Sequence, residues 1–313
     1  MKKLFYSLVF VLIVHCTLNI KNCEGQWYWQ NPLPTGQLLN SVYFLNDNTG
    51  WAAGTYGTII KTTNGGSNWF SLLSGVTQEF LSVSFINENT GWVFGIGGVC
   101  RKTTNGGNLW LPQNSGTGSS IFFSFFFDAN TGWISGDNGI IMKTTNSGVN
   151  WLSQFSGGCC QKAIQFFNQN TGYVIGDCGR ILKTTNGGQN WSTQTSGTGE
   201  HLQSCYFLNE SSGWVVGNNG TIIVTYDGGQ NWYPQTTPGN IELHSVYFLN
   251  QNTGYAFGYE GTIYRTSNGG VNWFTQTSGT LRNFKSVRLV NSNIAYLIGD
   301  AGTLMKTTNG GGN

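Results

Sequence analysis

The chain has few charged residues, which make up only 9% of it. Residues 1–25 carry three of the basic side chains and one of the acidic ones, so the remainder holds 12 of each and has no net charge. Binding to nucleic acid requires a basic surface that neutralises phosphates. Because the composition indicates no such surface, we expect no nucleic-acid partner.

After residue 25 the sequence also lacks an apolar run long enough to cross a bilayer, since Ile121 to Phe127 has only the length of a strand. Near the start, Lys2 and Lys3 precede the apolar run Leu4 to Val14, which is typical of an export signal and too short for a membrane span. We predict that residues 1–25 are a cleaved signal peptide and that residues 26–313 are a secreted or periplasmic protein. Lipidation at a Cys of the signal segment is the less favoured alternative.

The composition does not favour helices. Gly is abundant, with 46 residues, and aromatic side chains make up 14% of the chain, which suits short strands, tight turns and aromatic packing. The stretch Lys183 to Trp191, KTTNGGQNW, occurs in seven similar copies. Successive copies from Trp69 are spaced by 41, 41, 40, 41 and 41 residues. A repeat of this length is typical of propellers and solenoids.

Each repeat contains the signals of four strands. In the first copy these are Ser41 to Leu45, Gly50 to Gly54, Thr58 to Thr63, and a fourth strand that begins at Trp69. A Gly-x-x-Gly hairpin joins the second strand to the third. Seven such units predict an all-β fold, a seven-bladed β-propeller of four-stranded antiparallel blades.

The ends of the chain indicate how the ring closes. The seventh copy stops at Asn313, one residue before its Trp, and the segment after the signal begins with Trp27. We predict that the strand around Trp27 to Leu33 completes the last blade without a covalent link. The alternative is that the sequence is a piece of a longer chain and that more residues follow Asn313.

The repeated phrase GTIIKTTNGGQNW resembles the photosystem II stability and assembly factor family, over Trp27 to Asn313. Its turns resemble the Asp-box turns of sialidases, sortilin-type receptors and xyloglucanases. The resemblance implies a non-enzymatic seven-bladed scaffold that binds partner proteins. It also places an Asp-box turn between the third and fourth strands of each blade. The turn residues are Asn64, Trp69, Asn105, Trp110, Asn146, Trp151, Asn186, Trp191, Asp227, Trp232, Asn268, Trp273 and Asn309.

Only Asp227 keeps the acid of the Asp box, and Asn stands in the other copies. We expect Asn to serve equally well, because its side-chain oxygen can accept backbone N–H groups two residues on. Gly65 and Gly66 should supply the positive φ angles of the turn. The Trp should then fold back over the turn. These turns are therefore predicted to be structural, with a ligand or metal role as the alternative.

The hairpins and the loops between blades should share one face of the ring, where propellers commonly bind. Asp and Asn are common in such hairpins for structural reasons alone, which is the competing interpretation of the acidic residues there. The candidate binding residues on this face are Tyr56, Asp137, Asp177, Arg180, Glu200, His201, Tyr259, Glu260, Arg282 and Asp300.

Catalysis is the less favoured alternative. A sialidase needs an Arg cluster that this sequence does not indicate. A glycoside hydrolase needs two carboxylates at a set separation, and the sequence cannot place Asp137 and Asp300 finely enough to test this. We predict a non-enzymatic scaffold for a protein partner, with no cofactor and no metal. The alternative is a secreted polysaccharide-binding protein or an Asp-box glycoside hydrolase.

Three further groups of side chains carry expectations: the cations of the third strands, two histidines and the cysteines. One cation occupies the third strand of most blades, and we expect a solvated strand face there; these residues are Lys61, Lys102, Lys143, Lys183, Arg265 and Lys306. His201 and His244 lack the spacing of a metal site and are expected at the surface or in hydrogen bonds. Five Cys residues follow the signal segment, and one disulfide among Cys159, Cys160 and Cys178 is plausible because a loop and a hairpin bring them together.

Overall fold

The computed structural model describes residues 27–155 and 157–311. Its strands form seven four-stranded antiparallel sheets. The first strands of neighbouring sheets contact one another around a closed circle, so the sheets are the blades of a propeller. This confirms the predicted all-β, seven-bladed fold. The predicted signal peptide lies outside the described residues.

The innermost strands are β2 (Leu39–Phe44), β6 (Phe80–Phe85), β10 (Ile121–Phe126), β14 (Gln161–Phe166), β18 (Leu202–Phe207), β22 (Leu243–Phe248) and β26 (Phe284–Leu289). The second strands are β3 (Gly50–Gly54), β7 (Gly91–Gly95), β11 (Gly132–Gly136), β15 (Gly172–Gly176), β19 (Gly213–Gly217), β23 (Gly254–Gly258) and β27 (Ala295–Gly299). The third strands are β4 (Ile59–Thr62), β8 (Cys100–Thr103), β12 (Ile141–Thr144), β16 (Ile181–Thr184), β20 (Ile222–Thr225), β24 (Ile263–Thr266) and β28 (Leu304–Thr307). The outermost strands are β5 (Phe70–Leu72), β9 (Leu111–Pro112), β13 (Leu152–Phe155), β17 (Ser192–Gln194), β21 (Tyr233–Pro234), β25 (Phe274–Gln276) and β1 (Tyr28–Trp29).

Blade 1 consists of β2 to β5, the next five blades follow in chain order, and blade 7 consists of β26, β27, β28 and β1. Six of the hairpins between second and third strands contain a single 3₁₀ turn; these turns are Thr55–Gly57, Ile96–Gly98, Asp137–Gly139, Asn218–Gly220, Tyr259–Gly261 and Asp300–Gly302. Among the described residues no helix is long and apolar enough to cross a membrane.

The N-terminal strand closes the ring. β1 pairs antiparallel with β28, with Tyr28 opposite Lys306, and Gln30 adds a backbone hydrogen bond to Leu304 at 2.9 Å. The paired strand is shorter than the predicted Trp27 to Leu33. Trp27 is only 6% exposed and lies against Gly311, as Trp69 lies against Gly66 in the first copy. Trp27 therefore supplies the Trp that the seventh copy lacks.

Aromatic rings hold neighbouring blades together. The Trp or Tyr of a second strand stacks on the Phe of the next blade's innermost strand, as Trp51 stacks on Phe85 with ring centroids 3.5 Å apart. The same stacking joins Trp92 to Phe126, Trp133 to Phe166, Tyr173 to Phe207, Trp214 to Phe248, and Tyr296 to Phe44. Each stack contributes about 0.5–1.5 kcal/mol beyond the area it buries.

The expectation that the third-strand cations form a solvated face is wrong. Lys61 is half-buried, and its Nζ donates to the Gly106 carbonyl of the next blade at 2.9 Å. Equivalent bonds run from Lys102 to Ser147, Lys143 to Gly187, Lys183 to Gly228, and Lys306 to Gly65. The acceptor is in each case a backbone carbonyl in the turn between the third and fourth strands of the next blade. The position of the lysine in the sequence does not reveal this partner. These lysines are links between blades.

The turns between third and fourth strands, here called box turns, are built around a Thr and an Asn or Asp. In the first copy Asn64 Oδ1 accepts the Asn68 N–H at 2.9 Å and the Thr62 hydroxyl at 3.1 Å. The Thr62 hydroxyl oxygen also accepts the Gly66 N–H at 2.9 Å. The Asn64 oxygen thus accepts the N–H of the residue four positions later, whereas we expected it to accept from a residue two positions later. Gly65 and Gly66 have φ angles of 62° and 81°, as predicted.

Candidate binding face

The hairpins and the loops between blades lie on the same face of the ring, as expected; we call it the hairpin face. In every blade the first hairpin residue donates its N–H to the residue just before the innermost strand, as Thr55 does to the Leu38 carbonyl at 3.0 Å. The box turns lie at the opposite ends of the strands, on what we call the box face. The hairpins therefore lie on one face of the ring, and the box turns lie on the other.

Every innermost strand carries a bulge next to the hairpin face. The register between first and second strands shifts across one residue in all seven blades, as between Leu39 and Ser41. A bulge redirects its extra side chain away from the regular ladder. The seven bulged residues, here called the bulge ring, are half-buried around the axis; they are Asn40, Leu81, Phe122, Lys162, Gln203, His244 and Lys285.

The bulge ring connects to predicted site residues in blades 4 and 5. Asp177 Oδ1 lies 3.1 Å from Nδ1 of His201, and its Oδ2 lies 3.8 Å from Nζ of Lys162. That ammonium group in turn lies 4.3 Å from the ring centroid of Phe122. Cation–π attraction and the carboxylate together fix the Lys162 side chain at the mouth of the ring. Arg180, on the same hairpin as Asp177, packs over Phe155 instead.

A second cluster lies in blades 5 to 7. Nζ of Lys285 is 3.3 Å from Nε2 of His244 and 4.7 Å from the ring centroid of Tyr259. Glu242 Oε1 lies 3.5 Å from the same histidine nitrogen and accepts from Gln203 at 3.4 Å. Burial lowers the pKa of His244 to about 3, and the charges of Lys285 and Lys162 act in the same direction. His244 is therefore neutral at physiological pH.

The remaining predicted residues are distributed around the hairpin face. Glu200 accepts from Asn219 at 2.9 Å, Asp300 accepts from Asn283 at 2.7 Å, and Arg282 donates to the Ala301 carbonyl at 3.1 Å. Glu260 donates its backbone N–H to Asn283 at 3.0 Å. Tyr56 is 74% exposed at the tip of its hairpin. The structure thus brings Asp177 and His201 into direct contact, while Tyr259 and Glu260 share the blade 6 hairpin and Arg282 and Asp300 lie in blade 7.

The Asp137 carboxylate is held by hydrogen bonds from neighbouring residues. Its Oδ1 accepts from Sγ of Cys160 at 3.0 Å and from the Asn138 N–H at 3.0 Å. These hydrogen bonds, the one from Cys160 foremost, lower the pKa of the Asp137 carboxyl. A general acid in a glycoside hydrolase needs a raised pKa. Among the described residues no group of three His, Cys, Asp or Glu side chains is arranged to hold a metal ion.

The predicted disulfide lies at this face between Cys159 and Cys178, with Cα atoms 6.5 Å apart. The predicted site included no residue of the bulge ring. In the structure six residues of each innermost strand face a five-residue second strand, so one residue has no partner. The sequence signal that could have found this position is its mixed chemistry, from Phe122 to Lys162, which departs from the apolar run around it.

The geometry defines a seven-bladed propeller with Asp-box-like turns on one face and a chemically varied mouth on the other. The model of the family described as photosynthesis system II assembly factor YCF48 matches residues 69–156 and 159–234, together more than half of the chain. The chain belongs to this family. No curated protein matches it.

Solved structures share the fold. A structure described as YCF48 bound to D1 peptide superposes with a TM-score of 0.78 at 20% identity, covering 91% of this chain and 97% of that one. YCF48 from Cyanidioschyzon merolae gives 0.77 at 20% identity, covering 90% and 98%. The GH74 enzyme of Niastella koreensis gives 0.70 at 14% identity, with 87% of this chain covered but only 52% of the enzyme.

Proposed function

We propose that this chain is an exported, non-enzymatic propeller scaffold that binds a protein partner at its hairpin face. The contrast between the two faces carries the proposal. On the box face the same Thr, Asn or Asp and Gly residues recur from blade to blade to build the same turn. On the hairpin face the bulge position holds five further residue types besides its two lysines. The fold requires the first pattern, whereas the second suits recognition of an asymmetric partner.

The family supports a protein partner over other ligands. A related propeller has been solved with a peptide, by its description YCF48 bound to D1 peptide. The mouth of the present ring offers what peptide recognition uses, namely a cation, a carboxylate and aromatic rings in fixed positions. Lys162, Asp177 and Phe122 form such a group. Nothing in these residues specifies a photosystem component, and the proposal does not include one.

Export is supported by two observations. Lys2 and Lys3 precede an apolar run in the predicted signal segment. Disulfides persist mainly in oxidising compartments, and the Cys159–Cys178 bridge lies at the protein surface, with Cys178 exposed. We therefore propose a secreted or periplasmic location.

The test is capture of partners from an envelope extract by the immobilised chain. Wild type is compared with Lys162→Ala/Phe122→Ala on the hairpin face and with Glu88→Ala/Leu109→Ala on the box face. We expect a specific protein whose affinity, once it is purified and titrated, falls at least roughly tenfold with the first variant and is unchanged with the second. Loss with the box-face pair alone would refute the proposed face.

The second candidate is a polysaccharide-binding protein or glycoside hydrolase, which the shared fold with GH74 enzymes keeps open. The lowered pKa of Asp137 and its bond to Cys160 speak against that residue as a general acid. Binding to a glycan panel together with release of reducing sugar would favour this candidate. Binding without release would favour a glycan-binding scaffold.

A further inference from the structure

The Cys159–Cys178 disulfide occupies a position that has an equivalent in other blades. It joins a loop between blades to a hairpin tip 19 residues later. Hydrogen bonds join residues at the same separation in three other blades: Asn138 Nδ2 donates to Ser119 Oγ at 3.0 Å, Asn219 Nδ2 to Glu200 Oε2 at 2.9 Å, and Arg282 Nη1 to the Ala301 carbonyl at 3.1 Å. We call this contact between loop and hairpin tip the clasp.

Blade 4 differs from these blades in its entering loop. Trp151 and the first residue of β14, Gln161, are ten residues apart, whereas Trp191 and Leu202 are separated by eleven. The hairpin of blade 4 also lacks the 3₁₀ turn found in the other six. Its tip residue Cys178 has a φ angle of 61°, like the non-glycine tip residues of five other hairpins, so the difference lies in the loop and not in the tip backbone. A covalent clasp holds this hairpin where the shorter loop leaves fewer residues to do so.

The clasp is next to the residues that we place in the binding face. Cys178 follows Asp177 directly, and its N–H donates to Nδ1 of His201 at 3.4 Å. Asp177 contacts the same imidazole and also Lys162. A movement of the hairpin tip would therefore change the position of the Asp177 carboxylate relative to both Lys162 and His201.

A third Cys lies beside the bridge without joining it. Cys160 donates its S–H to Asp137 Oδ1 at 3.0 Å, across the boundary between blades 3 and 4. Burial raises the pKa of this thiol, and the bond to the Asp137 carboxylate adds to the effect. Because the thiolate is the form that attacks disulfides, a protonated Cys160 leaves the Cys159–Cys178 pairing in place.

We propose that the Cys159–Cys178 disulfide is a positioning clasp of the binding face, which holds the blade 4 hairpin so that Asp177 meets Lys162 and His201. The role of this clasp in partner binding rests on the proposed function. A dithiol reductant opens the clasp: the S–S bond accepts two electrons and two protons to give two thiols, and the dithiol becomes a cyclic disulfide. The hairpin then loosens while the ring stays folded, since aromatic stacks hold the blades independently.

The test uses the full chain without a histidine tag, because it contains only 3 His residues and two of them are informative. Proton NMR follows the imidazole signals, assigned with His201→Gln and His244→Gln, before and after addition of dithiothreitol. We expect reduction to shift the His201 signal and leave that of His244 in place. Hydrogen exchange of residues 176–180 should rise at least roughly tenfold, with the amides of other blades unchanged.

Two variants serve as controls. Cys159→Ser/Cys178→Ser should resemble the reduced wild type and show no response to the dithiol. Cys160→Ser should respond as wild type does. An unchanged His201 signal, a rise in exchange throughout the ring, or a mapped Cys160–Cys178 bridge in the untreated protein would each overturn the proposal.

The double variant also separates this proposal from the proposed function. It is used in the capture experiment, where the affinity for the captured protein should fall at least roughly tenfold. Wild-type affinity with a loosened hairpin would show that the clasp does not serve binding. Failure of every form to capture a partner would count against the proposed function, while the NMR and exchange results on the free protein still decide whether the clasp positions the hairpin.

Discussion

One side-chain oxygen organises each box turn. Asn186 Oδ1 accepts the Thr184 hydroxyl at 3.1 Å and the Asn190 N–H at 2.9 Å. Asp227 does the same in the fifth copy, with bonds at 2.9 Å to Thr225 and to the Asn231 N–H. Because the oxygen acts only as an acceptor, Asn and Asp are equivalent at this atom. That explains why the turns keep their geometry with a single acid among seven copies.

The first prediction concerns this equivalence. Asn186→Asp should leave the free energy of unfolding nearly unchanged at pH 7, because the carboxylate accepts the same two bonds. Asn186→Ala should lower it by about 1 kcal/mol, because both donors lose their partner. Urea unfolding of the two variants beside wild type measures the difference. Equal destabilisation by Asp and Ala would contradict the role assigned to the oxygen.

The second prediction concerns His244, which Glu242, Lys285, Lys162 and Tyr259 surround. Its pKa is about 3 in the folded protein, below the ordinary value near 6.5, so the unfolded chain binds the proton more readily. The stability that this difference contributes is complete above about pH 6.5 and is lost as the pH falls towards 3. His244→Gln should therefore flatten the stability profile between pH 7 and 4, measured by urea unfolding. An equal loss of stability in wild type and His244→Gln as the pH falls would rule out His244 as the source of the pH dependence.

At the scale of elements, the links between blades show that different side chains can donate a hydrogen bond to the same carbonyl. In blade 5 Val224 stands where other blades have Lys or Arg, and the Gly269 carbonyl of the next blade accepts instead from Gln235 Nε2 at 3.2 Å. The donor has moved from the third strand to the residue that follows the fourth, while the acceptor is unchanged. The acceptor is therefore the fixed feature of the interface.

The third prediction tests this exchange of donors. Lys61→Val should lower the free energy of unfolding by about 1 kcal/mol, because the Gly106 carbonyl keeps only the Trp51 indole as donor. Leu72 occupies the position in blade 1 that Gln235 occupies in blade 5. Lys61→Val/Leu72→Gln should recover part of the loss. Calorimetric melting of both variants checks the result, and absence of recovery would show that the position of the donor matters.

At the scale of the whole molecule, repetition decides what the sequence could predict. The spacing of Trp69 and its equivalents gave the blade count, and the missing Trp of the last copy pointed to Trp27. The role of Lys61 could not be predicted, because its acceptor lies 45 residues away in the next blade. The bulge ring was missed for another reason: the sequence does not show which residue of a strand lacks a partner, so a polar residue at the bulge resembles any other exposed position of the strand. The hairpins and the loops between blades share one face, as expected, and the binding role of their residues stays a prediction.

The fourth prediction concerns ring closure. Trp27→Ala should lower the free energy of unfolding by about 3–5 kcal/mol, because it removes a buried ring that packs edge-on against Phe257 at 5.4 Å. Tyr28→Ala is the matched control, since Tyr28 is 40% exposed in the same strand and should cost far less. Thermal unfolding of the two variants measures both. Similar losses would mean that Trp27 does not anchor the strand.

The pairing of β1 with β28 also sets an order of events during synthesis. The first strand of the ring to leave the ribosome must wait for Leu304–Thr307, the last of the described strands, before it finds its neighbour. Blades 1 to 6 can assemble from contiguous segments in the meantime, but blade 7 cannot. Joining ends so distant in sequence carries the largest loop-closure cost in the molecule and belongs late in folding. A nascent chain stalled before residue 304 would therefore carry the unpaired β1 at one end of an open arc and the unfinished blade 7 at the other.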